Sequence, residues 1–314
     1  DSSTIVAIVN EFKPKQTTIS FGYSGENSEL KYAEEIAKKY QTNHIEIHEN
    51  RGDIAADLLK ISPFFDEPFS DMSYTPQFKI CQAAARHLKV VLGGDVGDEL
   101  FGGYHFYTVE QEMRNHFSYN NILLKFGLKQ FGKFRQTSYI TNENIAHENI
   151  LDFHQNKVRN YFTEKERNSL GITAKYHQKY SFHANPDSLN DIMRVDLEKY
   201  VPGNMLVKAD RMAMANSLEV RTPFLDTDFA EFCIQLPDNL KLDSQNDKII
   251  LRESMQNYWT ESIRNRGKQG FGSSVENWFE EDSFMKLSDD LLKNKENKIF
   301  DYIDFSATQT FLNK

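Results

Sequence analysis

The sequence predicts an α/β protein in which a parallel sheet, with helices on both faces, is followed by a mostly α-helical C-terminal part. Over the first hundred of its 314 residues, short β-branched or aromatic runs alternate with amphipathic helical patterns. After about residue 105 no strand alternation remains. Because strands separated by helices are joined by crossover connections, the first part favours a parallel sheet. We therefore predict an α/β core over residues 1–110 and a helical region over residues 111–314.

The elements of the predicted core follow one another in alternation. Three strands are predicted from β-branched and apolar runs next to turn residues: residues 17–23, 44–47 and 89–92. Three helices are predicted from apolar spacing: residues 27–40, 53–61 and 76–88. Asn27 and Asp53 are candidate N-caps, and Pro76 suits a first helical turn. The opening DSSTIVAIVNEF fits either state, since its β-branched residues favour a strand and its apolar spacing allows a helix.

The C-terminal part is predicted to be all-helical. Residues 105–186 are rich in aromatics, Asn, Lys and His and show no strand pattern. Helical periodicity then predicts four further helices: residues 189–200, 205–217, 226–236 and 248–259.

Composition excludes several classes of function. With 37 Lys and Arg against 46 Asp and Glu, the formal net charge of −9 argues against a general nucleic-acid binder, although a local site can still hold a small anion. No apolar run approaches the roughly 18 residues that a membrane span needs. The two cysteines, Cys81 and Cys233, form neither a disulfide framework nor a zinc pattern, so we expect buried thiols in a reducing cytoplasm.

The strongest chemical signal is the segment KVVLGGDVGDELFGGY, residues 89–104. A buried strand leads directly into Gly93 and Gly94, and three acids follow: Asp95, Asp98 and Glu99. Glycines after a strand allow the backbone to approach a phosphate or a ribose, and carboxylates suit a Mg²⁺ ion that bridges phosphates. An equally weighted alternative is a strand, a glycine turn and a solvated acidic helix start.

Basic residues later in the chain leave two readings open. Lys208, Asp210 and Arg211 share one predicted helix, which either faces a cleft or has a polar outer face. Arg221 follows this helix, just before Pro223. Lys268 lies in a glycine-flanked RGKQG loop, where it either reaches a phosphate or belongs to a surface turn.

Four blocks of sequence, in order, resemble the synthetase domain of the asparagine synthetase family. Residues 90–104 resemble the family's V-[LV]-S-G-[DE]-G-[AGS]-D-E-[LV]-F-G-G-Y block, and residues 66–76, DEPFSDMSYTP, resemble D-E-P-x-x-D-x-S-x-x-P. The segment MLVKADRMAMANSLEVRTPFLD, residues 205–226, is similar to M-L-x-K-x-D-R-x-x-M-x-x-S-x-E-x-R-x-P-F-L-D. KIILRE and RGKQGF resemble the K-x-x-L-R and R-x-K-x-G-F blocks. Residues 105–186 carry no block that aligns.

The resemblance implies a PP-loop domain of the adenine-nucleotide-hydrolase-like type, which binds ATP and Mg²⁺. The opening D-S-S matches the second half of the family's S-G-G-x-D-S-S pyrophosphate loop, which a helix follows, so residues 4–12 are expected to be helical. Asp1 and Asp98 are then the expected metal ligands, and Ser2 and Ser3 are expected to bind pyrophosphate at the helix N-terminus.

The remaining site residues also come from the resemblance. Those expected to bind the rest of ATP are Phe21, Gly93, Gly94 and Lys268. Those expected to act in catalysis are Asp95, tied to acyl-adenylate formation, Lys248, which stabilises charge at that step, and Arg221.

The chain departs from the family pattern at several points. The S-G-G half of the loop and the family's glutaminase domain, whose N-terminal Cys releases ammonia from glutamine, do not occur in the 314 residues. We therefore expect a fragment that does not use glutamine by itself and that, without the preceding loop, is inactive, has poor stability and binds ATP weakly or not at all. Gly93 replaces a Ser, and Val96 replaces a Gly, which indicates that position 96 either does not need a positive φ or is strained.

The expected reaction converts aspartate, ATP and ammonia into asparagine, AMP and pyrophosphate through β-aspartyl-AMP. One alternative is a related amidotransferase or β-lactam-forming synthetase that acts on another carboxylate. A second alternative is a non-catalytic nucleotide-binding fragment. The expected partners are the carboxylate substrate, ammonia and, in the full-length protein, the glutaminase domain. The oligomeric state stays open, with a homodimer as one arrangement.

Overall fold

A computed structural model of the chain describes residues 1–23, 29–49, 53–118, 149–159, 162–172, 183, 185, 188–267 and 275–313. The strands of this structure are β1 Thr17–Tyr23, β2 Asn43–Glu49, β3 Val90–Leu92 and β4 Glu219–Arg221. The helices of the N-terminal part are α1 Ser2–Phe12, α2 Leu30–Tyr40, α3 Ile54–Ile61, α4 Tyr74–Ala84, α5 Gly97–Phe101 and α6 His105–Ser118. The helices that follow are α7 Ile150–Phe153, α8 Glu164–Ser169, α9 Leu189–Glu198, α10 Leu206–Met214, α11 Thr227–Gln235, α12 Asp238–Lys241, α13 Ile249–Ser254, α14 Glu261–Asn265, α15 Val275–Trp278, α16 Asp282–Leu292 and α17 Phe305–Leu312. Short 3₁₀ turns lie at Ser62–Phe64, Pro223–Leu225 and Lys298–Asp301, and π turns at His154–Val158 and Val201–Met205.

The strands form two parallel ladders, which confirms the predicted α/β class. β1 pairs with β2 from Thr17 opposite Asn43 to Tyr23 opposite Glu49, and β3 pairs with β4 from Val90 opposite Glu219. Helix α2 packs on both strands of the first ladder, and α4 packs on β1. Each parallel pair is therefore connected through helices, as a crossover topology requires.

The strand β4 was not predicted, and it corrects the expectation of an all-helical second half. It has only three residues, too few to show an alternation, and its partner β3 lies well over a hundred residues earlier in the chain. Its backbone also holds the turn after β3, because Gly93 N–H donates to the carbonyl of Arg221 at 2.8 Å. The predicted helical region therefore supplies one strand to the core, and the boundary at residue 110 stays a prediction.

The local helix signals are mostly confirmed. Helix α1 covers the opening segment DSSTIVAIVNEF, whose residues fit either a helix or a strand and for which the family resemblance predicted a helix. Asp53 caps α3 by accepting the Ala56 N–H at 3.1 Å, as predicted, whereas Asn27 lies outside the described residues. The predicted helix over residues 248–259 is shorter than expected. It begins after Lys248, whose φ of 50° is left-handed, and ends at Ser254.

One hydrophobic core joins the two predicted regions. Ile5 and Ala7 of α1 and Leu100 of α5 share a buried cluster with Trp259 and Ile263 from the C-terminal part. Both cysteines are buried and unpaired, as expected. Among the described helices, none is both long and apolar enough to cross a bilayer.

A buried polar cluster, the His154 network, lies within the part of the chain that carries no sequence motif. His154 Nδ1 is 2.6 Å from Glu110 Oε1, and its Nε2 is 2.9 Å from Asp196 Oδ1. Arg159 Nε and the Tyr107 hydroxyl also donate to Asp196, at 2.8 and 2.5 Å. Burial disfavours the charged imidazole, but the two carboxylates outweigh it and raise the pKa of His154 to about 9.

We expect His154→Ala to destabilise the fold by about 3–5 kcal/mol at neutral pH, because it removes the cation that pairs with buried Glu110 and leaves Asp196 with Arg159 alone. Since the folded-state pKa is raised, this stabilisation is complete below the unfolded value of about 6.5 and is lost as the pH rises through about 9. The measurement is urea unfolding of both proteins from pH 6 to pH 10. A free-energy difference between them that does not shrink with rising pH contradicts the assignment. Exposed His87→Ala is the control.

Candidate active site

A cavity of about 790 Å³ opens at the carboxyl end of β3 and beside β1, and the carboxyl ends of strands are where parallel α/β sheets bind ligands. The middle of β1 contributes Ser20 and Phe21 to one wall. The turn after β3 contributes Gly93 and Gly94, and the first turn of α1 contributes Ser2. The cavity is of the size that small-molecule sites usually have.

The turn after β3 is held tightly against α1. A Cβ atom on Gly94 would overlap the backbone nitrogen of Ser2, so only glycine permits this approach. Val96 has a φ of 70°, although β-branched residues rarely adopt the left-handed region. Of the two readings of the Gly-to-Val departure, the structure therefore supports strain, which for a left-handed residue costs about 1–2 kcal/mol. Val96 is 1% exposed, and its packing in the buried cluster that contains Ile5 and Leu100 offsets this cost.

One end of the cavity contains an ion cluster formed by Asp1, Asp98 and Lys248. Lys248 Nζ lies 2.6 Å from Asp1 Oδ2 and 2.6 Å from Asp98 Oδ1. The three side chains are only 10–18% exposed. The two predicted metal ligands and the predicted catalytic lysine, which are far apart in sequence, therefore meet at one point.

The donor set at this point fits a magnesium ion that arrives with a nucleotide. Within the described ranges, no three His, Cys, Asp or Glu side chains form a metal-binding group by themselves. Mg²⁺ is usually held by one or two carboxylates together with substrate phosphates, and two carboxylates meet here. Gly97 makes room for one of them, since a Cβ there would lie 2.6 Å from Asp1 Cγ.

The cavity also contains a second ion cluster, formed by Lys208, Asp71 and Ser73. Lys208 Nζ donates to Asp71 Oδ2 at 2.8 Å and to Ser73 Oγ at 2.5 Å. Burial opposes ionisation of Asp71, but Lys208 and the hydrogen bonds from Ser73 outweigh it and lower the pKa of its carboxyl. Burial raises the pKa of nearby Asp95, and the charge of Lys208 offsets part of that shift. Of the two readings of the helix that carries Lys208, the cleft-facing one holds for Lys208, whereas Asp210 is exposed and Arg211 pairs with exposed Asp66.

A buried carboxyl lies behind the cavity wall. The hydroxyl of Tyr104, which lines the cavity, donates to Glu99 Oε1 at 2.7 Å. Burial is the main reason that the pKa of Glu99 rises to about 7. Arg159 of the His154 network stacks on Tyr200, another wall residue, with its guanidinium carbon 3.7 Å from the ring centre. The network therefore supports this wall from behind.

The structure brings most of the sequence-predicted site residues to one cavity. Those that line it are Asp1, Ser2, Ser3, Phe21, Gly93, Gly94, Asp95, Asp98 and Lys248. Arg221 is not brought to it: its side chain is 66% exposed and pairs with Glu219. Lys268 lies outside the described residues. The roles assigned to all of these residues stay predictions.

Several polar wall residues were not predicted from the sequence, among them Asp71, Ser73, Tyr104 and Tyr200. A signal existed for Asp71 and Ser73, since both occupy fixed positions of the D-E-P-x-x-D-x-S block.

The two parallel ladders and the cavity at the carboxyl end of β3 define an α/β protein with the PP-loop fold. A family model described as "Asparagine synthase" matches residues 1–314. The chain belongs to this asparagine synthase family.

Relatives of the chain carry related names. It is 28% identical over 335 aligned residues to "Asparagine synthetase [glutamine-hydrolyzing] 1" of Bacillus subtilis, and this alignment covers 100% of the chain and 49% of the Bacillus protein. It is 28% identical to a "Putative asparagine synthetase [glutamine-hydrolyzing]" of Mycobacterium tuberculosis strain H37Rv, with coverages of 88% and 44%. A protein of Penicillium rubens named "Amidase chyE" is 25% identical, with coverages of 79% and 41%. The chain thus spans about half the length of the curated relatives it matches.

Proposed function

We propose that this chain is the synthetase part of an ATP-dependent amide-forming ligase, which converts aspartate and ammonia into asparagine through β-aspartyl-AMP. The observation that supports this most directly is the presence of two ion clusters in one cavity. The Asp1–Asp98–Lys248 cluster suits a metal and a phosphate chain, and the Lys208–Asp71–Ser73 cluster suits an amino acid.

At the nucleotide end, the first turn of α1 offers Ser2 and Ser3 to the departing pyrophosphate, because N–H groups at a helix N-terminus favour anions. Phe21 and the Gly93–Gly94 turn line the cavity, where they would contact the adenosine. Asp1 and Asp98 would hold Mg²⁺, which neutralises charge on the pyrophosphate when it is bound.

The chemistry takes two steps. An oxygen of the substrate carboxylate attacks the α-phosphorus, the bond to pyrophosphate breaks, and an acyl-adenylate forms. Lys248 stabilises the negative charge that develops in this step. Ammonia then attacks the acyl carbon, a base takes one proton, and the bond to AMP breaks. In addition to its expected part in acyl-adenylate formation, Asp95 lines the cavity and has a pKa raised by burial, so it is our candidate for this base.

At the acceptor end, the Lys208–Asp71–Ser73 cluster provides one positive and one negative group inside the cavity. A free amino acid carries the complementary pair, so its α-carboxylate suits Lys208 and its α-ammonium suits Asp71. Asp71 is ionised at neutral pH because Lys208 lowers the pKa of its carboxyl. A dicarboxylate without an amino group uses only half of this arrangement.

We expect Asp71→Asn to reduce the preference for aspartate over succinate by about tenfold or more, because a charge-assisted hydrogen bond to the amino group is lost. The measurement is kcat/KM for adenylation of both acids. Asp66→Asn is the matched control, since Asp66 pairs with Arg211 on the same helix as Lys208 but is 78% exposed. If Asp71→Asn keeps the wild-type preference for aspartate over succinate, the Lys208–Asp71 ion pair stabilises the fold and does not recognise the amino group.

The experiment for the proposed function identifies the amide formed from a panel of carboxylates with ATP, Mg²⁺ and ammonium. Asparagine from aspartate supports the proposal. An amide from another acid favours a related amidotransferase or a β-lactam-type synthetase. If the protein binds the nucleotide but forms no amide from any acid, the result supports the alternative of a non-catalytic nucleotide-binding fragment.

The nitrogen source is also a proposal. The Bacillus and Mycobacterium relatives are named as glutamine-hydrolysing. We propose that a glutaminase domain supplies ammonia to this chain in the full-length protein. For a synthetase part that includes the preceding S-G-G loop, amide formation with ammonium, without activity on glutamine, is the expected pattern.

A further inference from the structure

The ammonium of Lys248 lies between the two carboxylates that are proposed to hold the metal. Its Nζ is 2.7 Å from Asp1 Oδ1, 2.6 Å from Asp1 Oδ2 and 2.6 Å from Asp98 Oδ1. The ammonium donates hydrogen bonds to both Asp1 oxygens, while its contact with Asp98 Oδ1 is a close ion pair. The lysine therefore sits at the position between Asp1 and Asp98 that a bridging cation would take.

The surrounding backbone holds Lys248 in this place. Its φ of 50° and ψ of 37° are left-handed, a conformation that a lysine keeps only when its surroundings impose it. A Cβ atom on Gly103 would overlap both Lys248 Cε and Asp98 Oδ1, so a glycine makes the room for the lysine stem. The side chain is 10% exposed.

A divalent ion that contacts both Asp1 and Asp98 needs the same space. If the metal arrives alone, it brings two positive charges beside an ammonium that has lost its partners, and partial burial strengthens their repulsion. If the metal arrives with a phosphate chain, the phosphate oxygens offer the ammonium new acceptors close by. The exchange then becomes favourable without a large movement of the lysine backbone.

We propose that Lys248 determines which form of the metal this site accepts: the ion bound to a nucleotide, and not the free ion. Lys248 thus sets the order of loading, in addition to its proposed part in adenylation. This inference rests on the proposed function only in taking a nucleoside triphosphate as the ligand.

The test measures binding of Mn²⁺, a spectroscopic substitute for Mg²⁺, by spin resonance of the free ion without any nucleotide. Lys248→Met removes the ammonium and keeps an unbranched stem, while Lys248→Arg keeps a cation at the same place. We expect Lys248→Met to bind Mn²⁺ at least about tenfold more tightly than the wild type, equivalent to roughly 1.4 kcal/mol. Lys248→Arg should stay within about threefold of the wild type, equivalent to roughly 0.6 kcal/mol.

Two additional measurements make the result specific. Adding Asp98→Asn to Lys248→Met should abolish the gain, because the ion then loses one carboxylate. In the wild type, the α,β-methylene analogue of ATP should increase the Mn²⁺ bound to the protein. Lys248→Gln replaces Lys248→Met if thermal unfolding shows that the latter does not fold.

Equal Mn²⁺ affinity in the wild type and in the neutral variant overturns the proposal, and so does tight binding by Lys248→Arg. These outcomes do not depend on catalysis. A protein that forms no amide can still show the predicted Mn²⁺ pattern, and an active ligase can lack it, so the two proposals fail separately.

Discussion

Lys248→Ala should lower aspartate-dependent exchange between ATP and pyrophosphate by about 10²–10³-fold, the loss that removal of one positioned transition-state donor usually causes. The reason is geometric: Lys248 Nζ is 2.6 Å from both Asp1 and Asp98, which places a positive charge where the phosphate chain is proposed to lie. The measurement is the exchange rate at saturating ATP and aspartate.

Lys293→Ala is the matched control, because Lys293 is a 60% exposed lysine that pairs with Asp289 on α16. Circular dichroism and urea unfolding establish that each variant is folded. Full exchange by folded Lys248→Ala contradicts a catalytic role. If Lys248→Ala loses exchange because the variant is unfolded, the role of Lys248 is to stabilise the fold.

Asp98→Asn should abolish exchange that depends on Mg²⁺ and ATP. The substitution keeps the shape of the side chain and removes its charge, while a small hard cation needs charged oxygen ligands. Asp98 is 10% exposed, so little water is available to replace the lost carboxylate. The rate should be measured over a range of Mg²⁺ concentrations, including limiting ones.

Asp57→Asn serves as its control, since Asp57 pairs with Lys79 at 2.9 Å outside the cavity. Wild-type exchange by Asp98→Asn at limiting Mg²⁺ excludes Asp98 as a metal ligand. A rate that recovers only at high Mg²⁺ supports the assignment, because it reports weakened metal binding.

Local signals predicted most of the N-terminal elements. The Asp53 cap and the strand β1 depend on residues close in sequence, whose preferences the chain itself displays. The helix α1 needed the resemblance, because its β-branched residues favour a strand in isolation. Packing of Ile5 and Ala7 in the main core overrides that preference.

Long-range features were not predictable from the same signals. Strand β4 has three residues and gains its structure from β3. The His154 network joins Glu110, His154 and Asp196, which are scattered over a segment without motifs. Its charges compensate one another only after the helices have packed, and no local spacing shows this.

In the candidate site, too, local motifs were predictable from the sequence and long-range contacts were not. The motif around residues 93–98 predicted the acids and glycines of the cavity, because one strand and one turn bring them together. The Lys208–Asp71 pair joins two blocks that were recognised separately. Arg221 carried a prediction from its block alone, and the structure leaves its side chain exposed beside Glu219.

The central claim is that this cavity couples cleavage of ATP between its α- and β-phosphates to activation of a carboxylate. Aspartate labelled with ¹⁸O in its β-carboxylate tests this most directly, with the phosphorus products analysed by nuclear magnetic resonance after reaction with ATP, Mg²⁺ and ammonium. Attack of the carboxylate on the α-phosphorus predicts that one labelled oxygen appears in AMP, with pyrophosphate unlabelled and asparagine formed in equal amount. Unlabelled AMP, or label in inorganic phosphate released together with ADP, would contradict the adenylate mechanism.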